Sequence, residues 1–161
     1  MLKSKAAIFI SKKQGIIIDD IYLTEPNDNE VIIKNFYTGL CGSILTNLSR
    51  DPKSPELLGH EGTGKIISKG KKVKHVNVGD EVLISWMPFN SNTKTNYFQW
   101  TSFLYKNKKI NSLIYTISEY SKLHCQFVSK LPKNISYKDA SILGCAVISG
   151  YSPVIKNKDI D

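Results

Sequence analysis

Short runs of β-branched and aliphatic residues, separated by turn residues, follow one another through the first half of the chain. The runs are KAAIFI, GIIIDDIYL, EVIIKNFYTG, GTGKIISKG and DEVLISW. Gly, Asn, Asp and Pro separate them, as in EPNDNE and at Gly79-Asp80. Short strands with frequent turn signals are typical of all-β folds. The pattern therefore predicts a mainly β protein.

The second half of the chain is less regular. Residues 87–116 mix polar and aromatic residues without a clear period, and we expect a long loop or lobe there. Leu123, Cys125 and Phe127 alternate with polar residues in YSKLHCQFVSKL, which predicts a strand. Ser136, followed three residues later by Asp139, resembles a capping box and predicts a helix over YKDASILGCAVISGYSPVIK. Six aromatic residues are candidates for packing the lobe: Phe89, Tyr97, Phe98, Trp100, Phe103 and Tyr105.

Length and composition restrict the class of protein. A chain of 161 residues with 41% hydrophobic residues fits one ordinary globular domain. No apolar run approaches the roughly 18 residues that span a bilayer, and the N-terminus lacks the pattern of a signal peptide, so we expect a cytoplasmic protein without a membrane partner. The three cysteines are too few and too scattered for a disulfide framework, and reduced thiols are expected.

The net charge of +8 raises the question of nucleic-acid binding. Of the 22 cationic residues, however, only Arg50 is an arginine. The chain therefore lacks the forked guanidinium groups that grip phosphates and read guanine edges. Solvated surface lysines explain the charge better, and we do not expect nucleic acid as a partner.

Two cysteines and one histidine stand beside glycines, in TGLCGS, LGHEGTG and LGCAVISG. Glycine permits the close backbone approach that tight sites need. Cys41, His60 and Cys145 form a Cys₂His set, which suits zinc and leaves a fourth position open for water or substrate. The wide spacing does not establish that they meet, and each could instead be a core residue, as we expect for Cys125. The GTGKII segment lacks a third glycine and a following helix, and a strand is a better interpretation than a phosphate cradle.

The segment from GLCGS through LGHEGTG to VGDEVLISW is similar to the catalytic domain of the zinc-dependent medium-chain alcohol dehydrogenases. Members of that family carry Cys-Gly-Ser-Asp, then Gly-His-Glu, a glycine-rich strand and Gly-Asp-x-Val. The later SEYSKLHCQFVSKLPKNISYKDASILGCAVISGY resembles the family's approach to its third zinc ligand. Order, spacing and flanking glycines agree from about the first strand to Tyr151. The resemblance implies a mainly β, partly open barrel like that of the chaperonin cofactor GroES, with short helices after Cys41 and Ser136.

The resemblance also implies residue roles. Cys41, His60 and Cys145 would bind one catalytic zinc; this ligand set is known from alcohol dehydrogenases, so the assignment is carried over from the family. Ser43 matches the hydroxyl that contacts the substrate oxygen and begins a proton relay. Glu61 matches the acidic residue behind the zinc and would be an outer or transient ligand. The implied activity is hydride transfer between a small alcohol or aldehyde and NAD(P).

Three features depart from the family pattern. Ile44 stands where the family often has an Asp that holds the zinc-bound histidine, and losing such a partner typically costs about 10- to 100-fold in metal affinity or activity. Thr46 stands where many members have a relay histidine; its hydroxyl is the candidate to pass a proton on at the end of the relay, although it cannot act as a base near neutral pH. Residues 87–116 contain no cysteine, whereas many relatives carry four there. We therefore expect one catalytic zinc and no structural zinc.

The chain closes with SPVIKNKDID, about where the family's Rossmann domain would begin, and it has no G-x-G-x-x-G segment. We expect residues 149–161 to begin the connection to that domain, and NAD(P) to be bound only through a domain outside this chain. A separate nucleotide-binding chain is one candidate partner. The sequence leaves open whether this is a piece of a longer chain, half of a split gene, or a descendant without dehydrogenase chemistry. The rival functions are a non-catalytic GroES-like binding module with a decayed zinc site and a zinc-free quinone-reductase-like protein, and the three retained ligands disfavour the latter.

Overall fold

The structure is a computed structural model that describes residues 1–89 and 99–157. In these ranges the chain forms strands β1 (Leu2–Ser11), β2 (Gly15–Leu23), β3 (Glu30–Thr38), β4 (Glu56–Leu57), β5 (Gly62–Lys69), β6 (Glu81–Ile84), β7 (Thr101–Tyr105), β8 (Lys108–Ser112), β9 (Tyr120–His124) and β10 (Val128–Lys130). The α-helices are α1 (Gly42–Leu48), α2 (Tyr137–Ala140) and α3 (Ile148–Lys156). A 3₁₀ turn covers Cys125–Phe127 and a π-helical turn covers Leu143–Val147.

The strands form two antiparallel sheets. Their orders are β4-β1-β2-β7-β8 and β10-β6-β5-β3-β9. The segment before β9 joins them, because the backbone N–H of Glu119 donates to Lys5 of β1 and the Glu119 carbonyl accepts from Asn35 of β3. The expected mainly β, partly open barrel with a few short helices is confirmed.

Strand β3 lies between the two main clusters of buried apolar side chains. Val31 and Ile33 pack in a cluster with Ile66 and Leu123, whereas Ile32 packs in the other cluster. Successive side chains of a strand point to opposite faces, so a continuous apolar run serves both clusters. The sequence EVII is therefore a strand buried on both sides.

The lobe expected at residues 87–116 is corrected in part. Residues 101–112 form the β7–β8 hairpin, whose turn residues Lys106 and Asn107 have φ of 48° and 62°. Phe103 and Tyr105 are buried, as the packing hypothesis requires, but Phe89 and Trp100 are exposed. Positions 90–98 of the lobe, including Tyr97 and Phe98, lie outside the described residues.

The later predictions are confirmed with one correction. GTGKII lies in β5, and Ser136 accepts a hydrogen bond from the Asp139 N–H and so caps α2. The strand expected in YSKLHCQFVSKL is interrupted, because β9 ends at His124 and the 3₁₀ turn follows. The single helix expected after Ser136 is three pieces: α2, the π-helical turn and α3. No helix within residues 1–89 and 99–157 is long and apolar enough to cross a bilayer.

Candidate metal centre

Cys41 is the residue that precedes the first turn of α1. It has extended backbone angles, φ −86° and ψ 147°, and its carbonyl accepts the first helical hydrogen bond from Ile44. Ile44 is buried against Phe9 and Leu58, which fixes the helix on the sheet. Hydrogen bonds from the Ser43 hydroxyl and backbone N–H hold the pKa of the Cys41 thiol below its ordinary value. A lowered pKa favours the thiolate, the form that binds metals.

His60 directly follows a turn at Gly59. Gly59 has φ of +89°, a conformation that favours glycine, and a Cβ atom there would lie 2.4 Å from the Thr116 hydroxyl oxygen. Burial lowers the pKa of His60, while the Glu61 carboxylate opposes that effect. Within residues 1–89 and 99–157 we find no hydrogen bond to either ring nitrogen of His60. Both nitrogens are therefore available to a ligand.

Cys145 lies in the π-helical turn, which packs closely on the end of β6. The Ser85 hydroxyl donates to the Gly144 carbonyl at 2.8 Å. A Cβ atom on Gly144 would lie 2.1 Å from the Ile84 carbonyl oxygen, so only glycine allows this approach. Burial, and after it the neighbouring Cys41, raise the pKa of Cys145 to about 11.

Glu61 lies beneath the π-helical turn that carries Cys145 and binds its backbone. Its side chain is 1% exposed, and its Oε2 atom accepts hydrogen bonds from the backbone N–H groups of Cys145 and Ala146, at 2.9 and 3.1 Å. A Cβ atom on Gly39 would lie 2.7 Å from the Glu61 carboxyl carbon, so Gly39 makes room for this side chain. The other oxygen, Oε1, has no hydrogen-bond partner among the described residues. A buried carboxylate with a free oxygen favours a cation nearby.

The three candidate ligands meet in space. The ligand atoms of Cys41, His60 and Cys145 all lie within 4.8 Å of one another. The two sulfur atoms are 3.7 Å apart, and the Cys145 thiol donates to Cys41. In a tetrahedral zinc site, Zn–S bonds near 2.3 Å place two sulfur ligands about 3.8 Å apart. The donor set and the sulfur separation therefore fit a zinc ion, which would replace the shared thiol proton.

The cluster opens into a cavity of about 450 Å³. Ser43 and Asn47 of α1 and Ser149 of α3 provide its polar wall. The other wall residues are apolar: Ile44, Leu57, Leu58, Trp86, Leu113 and Ile114. None of the described lining residues is a Lys, Arg, Asp or Glu. The site thus combines three metal-binding atoms with a mostly apolar chamber, the general form of a small-molecule site.

Comparison with known proteins identifies the domain. The family model of the alcohol dehydrogenase GroES-like domain matches residues 27–133. The chain belongs to this family. Among curated relatives, it is 29% identical to the S-(hydroxymethyl)glutathione dehydrogenase of Haemophilus influenzae, over 95% of the chain and 47% of that protein. It is 30% identical to the class-3 alcohol dehydrogenase of Dictyostelium discoideum, over 94% of the chain and 46% of that protein.

Solved structures of known proteins share the fold of this chain. Benzyl alcohol dehydrogenase from Acinetobacter calcoaceticus matches 96% of the chain and 48% of its own length, with a TM-score of 0.78 and 21% identity. A putative NADPH:quinone reductase from Bacillus thuringiensis matches all of the chain with a TM-score of 0.72 and 18% identity. At these identities the likeness concerns the fold. The chain spans about half the length of the curated relatives it matches.

The predicted site residues divide into two groups. Cys41, Ser43, His60 and Cys145 all line the cavity, and Glu61 lies beneath it. Thr46, in contrast, is exposed on α1 and is not part of the cavity wall. Ser43 and Asn47, which are four residues apart and so lie on one helical face, occupy the wall. The relay role of Thr46 stays a prediction that its position does not favour.

Sequence reasoning missed the residues that position the ligands. Ser85 and Thr116 are buried hydroxyls, and Thr116 donates to the Glu61 carbonyl at 3.1 Å. Neither stands in a motif, so no local signal marks them. Trp86 carried a weak signal, because it ends the predicted run DEVLISW and aromatic side chains are common in pocket walls.

Proposed function

We propose that this chain is the catalytic domain of a zinc-dependent alcohol dehydrogenase-like oxidoreductase, in which Cys41, His60 and Cys145 hold one zinc ion. The observation that carries the proposal is the Cys₂His cluster at the end of an apolar cavity. Zinc in such a site polarises the oxygen of an alcohol or aldehyde, so that hydride can be exchanged with NAD(P). NAD(P) would be held by a nucleotide-binding domain outside the residues described, on the same or a separate chain. No structural zinc is proposed.

The residues of this chain have distinct roles in the proposal. Ser43, on the cavity wall, contacts the substrate oxygen and exchanges a proton with it, passing its own hydroxyl proton to solvent at the cavity mouth. Glu61 is a positioning residue that fixes the Cys145 backbone through two hydrogen bonds. The apolar walls exclude water and orient the carbon chain of a small alcohol or aldehyde. The family membership and the named relatives support this assignment.

A non-catalytic binding module with a decayed zinc site is the second candidate. Two observations favour it. Ile44 is a core residue where the family often has Asp, and the His60 ring has no hydrogen-bond partner among the described residues. Zinc-bound histidines almost always donate their second N–H to an outer partner. Measured metal content separates the two functions.

The test is elemental analysis of the purified chain together with variants. We expect close to one zinc per chain, and its loss in both Cys41→Ser and His60→Ala. Cys125→Ser is the matched control, because Cys125 is a free cysteine outside the cluster, and it should retain full zinc. A folded, zinc-free wild type would contradict the proposal and favour the binding module.

A further inference from the structure

A second cavity, of about 200 Å³, lies between the β7–β8 hairpin and β9. It shares no lining residue with the metal cavity. Five of its wall residues carry hydrogen-bond donors: Thr24, Asn27, Ser102, Lys109 and Lys122. Its chemistry is therefore different from that of the apolar chamber beside the cysteines.

Lys122 is the unusual member of this wall. Its side chain is 1% exposed, although its ammonium group carries three hydrogen-bond donors. The Nζ atom donates to the Thr24 hydroxyl at 2.7 Å. The nearest carboxylate oxygen, Glu30 Oε2, is 3.8 Å away, beyond hydrogen-bond distance. Within residues 1–89 and 99–157 the ammonium thus has one hydrogen-bond acceptor, and two donors remain for another group.

The charge balance of the cavity favours an anion. Lys109 stands on the same wall. Burial is the main cause that lowers the pKa of Lys122; the Glu30 carboxylate opposes that shift, and the Lys109 cation adds to it. The Glu30 carboxylate already accepts a hydrogen bond from the Asn27 N–H at 2.8 Å. Among the described residues, Lys122 has Glu30 as its one ion-pair partner and Lys109 has none. The cavity wall therefore carries an excess of positive charge.

We propose that this cavity binds a phosphate group, either as inorganic phosphate or as part of a phosphorylated small molecule. Lys122 and Lys109 provide the charge. The hydroxyls of Thr24 and Ser102 and the side-chain amide of Asn27 provide neutral donors from different walls. Several donors around one point suit a tetrahedral oxyanion, whose oxygens accept in several directions. The volume of about 200 Å³ admits one such group.

The test is isothermal titration of the whole chain with inorganic phosphate and, separately, with glycerol 3-phosphate, at fixed pH and ionic strength. We expect saturable binding, with affinity about tenfold or more lower in Lys122→Met and about threefold to tenfold lower in Lys109→Gln, because charge-assisted hydrogen bonds are lost. Lys108→Gln is the matched control: it removes the same charge from the adjacent residue of β8, which points to the opposite face. It should bind phosphate like the wild type.

The outcomes separate this site from its alternatives. Binding of inorganic phosphate alone identifies a free ion as the occupant, and binding of both ligands identifies a phosphorylated small molecule; either supports the proposal. If Lys108→Gln weakens binding as much as Lys109→Gln, or if chloride replaces phosphate, general screening explains the effect and the proposal is wrong. Cys41→Ser should leave phosphate binding unchanged, whereas its loss there would place the ion at the metal centre. If Lys122→Met does not fold, the phosphate affinities of Lys109→Gln and Lys108→Gln test the proposal: weaker binding in Lys109→Gln alone supports it, and equal affinities contradict it.

Discussion

At the scale of single residues, Glu61 has the most specific role that the structure gives to a residue outside the ligand set. Its carboxylate accepts from two consecutive N–H groups of the turn that carries Cys145. A carboxylate accepts stronger hydrogen bonds than a neutral amide does. The orientation of Cys145 should therefore depend on the charge of Glu61 as well as on its shape.

Glu61→Gln is expected to lower zinc affinity by about tenfold or more, the usual effect of altering an outer partner of a metal ligand. Glu61→Ala should lower it further and also destabilise the fold, because two buried N–H groups lose their acceptor at a cost of about 1–3 kcal/mol each. Competition with a chromophoric chelator measures the affinity, and urea unfolding measures the stability. Equal zinc affinity in Glu61→Gln and wild type would show that the charge has no positioning role.

Asp80 is the residue through which we expect the stability of the fold to depend on acid pH. The Lys130 ammonium, which lies 2.9 Å from the carboxylate, and the backbone N–H of Asn77 hold the pKa of Asp80 below its ordinary value. A lowered folded-state pKa contributes stability that is present above the unfolded pKa of about 4 and is lost as pH falls through the folded value.

We expect Asp80→Asn to lower the free energy of unfolding at pH 7 by no more than about 1 kcal/mol, since the pair is partly exposed. The difference from wild type should shrink as the pH falls below about 4. Lys130→Gln should produce a similar change, and the double variant should add little to either single variant. Urea unfolding across this pH range is the measurement, and a difference that grows with acidity would contradict the assignment.

At the scale of elements, the candidate metal centre depends on a turn that sequence patterns do not reveal. The flanking glycines and the family resemblance were enough to single out Cys41, His60 and Cys145. The π-helical turn at Leu143–Val147 was not predictable, because it depends on Glu61 and Ser85, which contact it from distant parts of the chain. The β7–β8 hairpin was missed although Thr101, Phe103 and Tyr105 alternate, because its Lys106-Asn107 turn lacks the usual glycine.

Substitutions at two glycines test the role of the π-helical turn at Leu143–Val147. Gly144→Ala is expected to destabilise the chain by about 1–3 kcal/mol, because its methyl group would overlap the Ile84 carbonyl of β6. Gly150→Ala is the matched control in α3, where a Cβ atom meets nothing within 4 Å, and it should be neutral or stabilising by up to about 1 kcal/mol. Gly144→Ala should also weaken zinc binding, while Gly150→Ala should not. Thermal unfolding and zinc titration of both variants give the comparison.

At the scale of the whole molecule, the cavity beside the metal ligands is built from segments that are far apart in the chain. Leu57 comes from β4, Trp86 follows β6, and Leu113 and Ile114 follow β8. Of these segments only DEVLISW, which ends at Trp86, was predicted as a strand; β4 and β8 were not, and the meeting of all three depends on how the two sheets pack. The combined wall lacks charged side chains among the described residues, and burying an unpaired charge there costs several kcal/mol.

The cavity should therefore prefer uncharged alcohols, and Trp86 can report their binding. Trp86 lines the cavity, whereas Trp100 is exposed and does not line it. In a Trp100→Phe variant, benzyl alcohol is expected to change the remaining tryptophan fluorescence saturably. The 4-carboxylate derivative, 4-(hydroxymethyl)benzoate, should bind at least about tenfold more weakly at the same zinc content, because its charge would be buried without a partner. Equal affinity for the two alcohols would mean that the charged end stays in solvent, and the apolar wall would then not determine which alcohols bind.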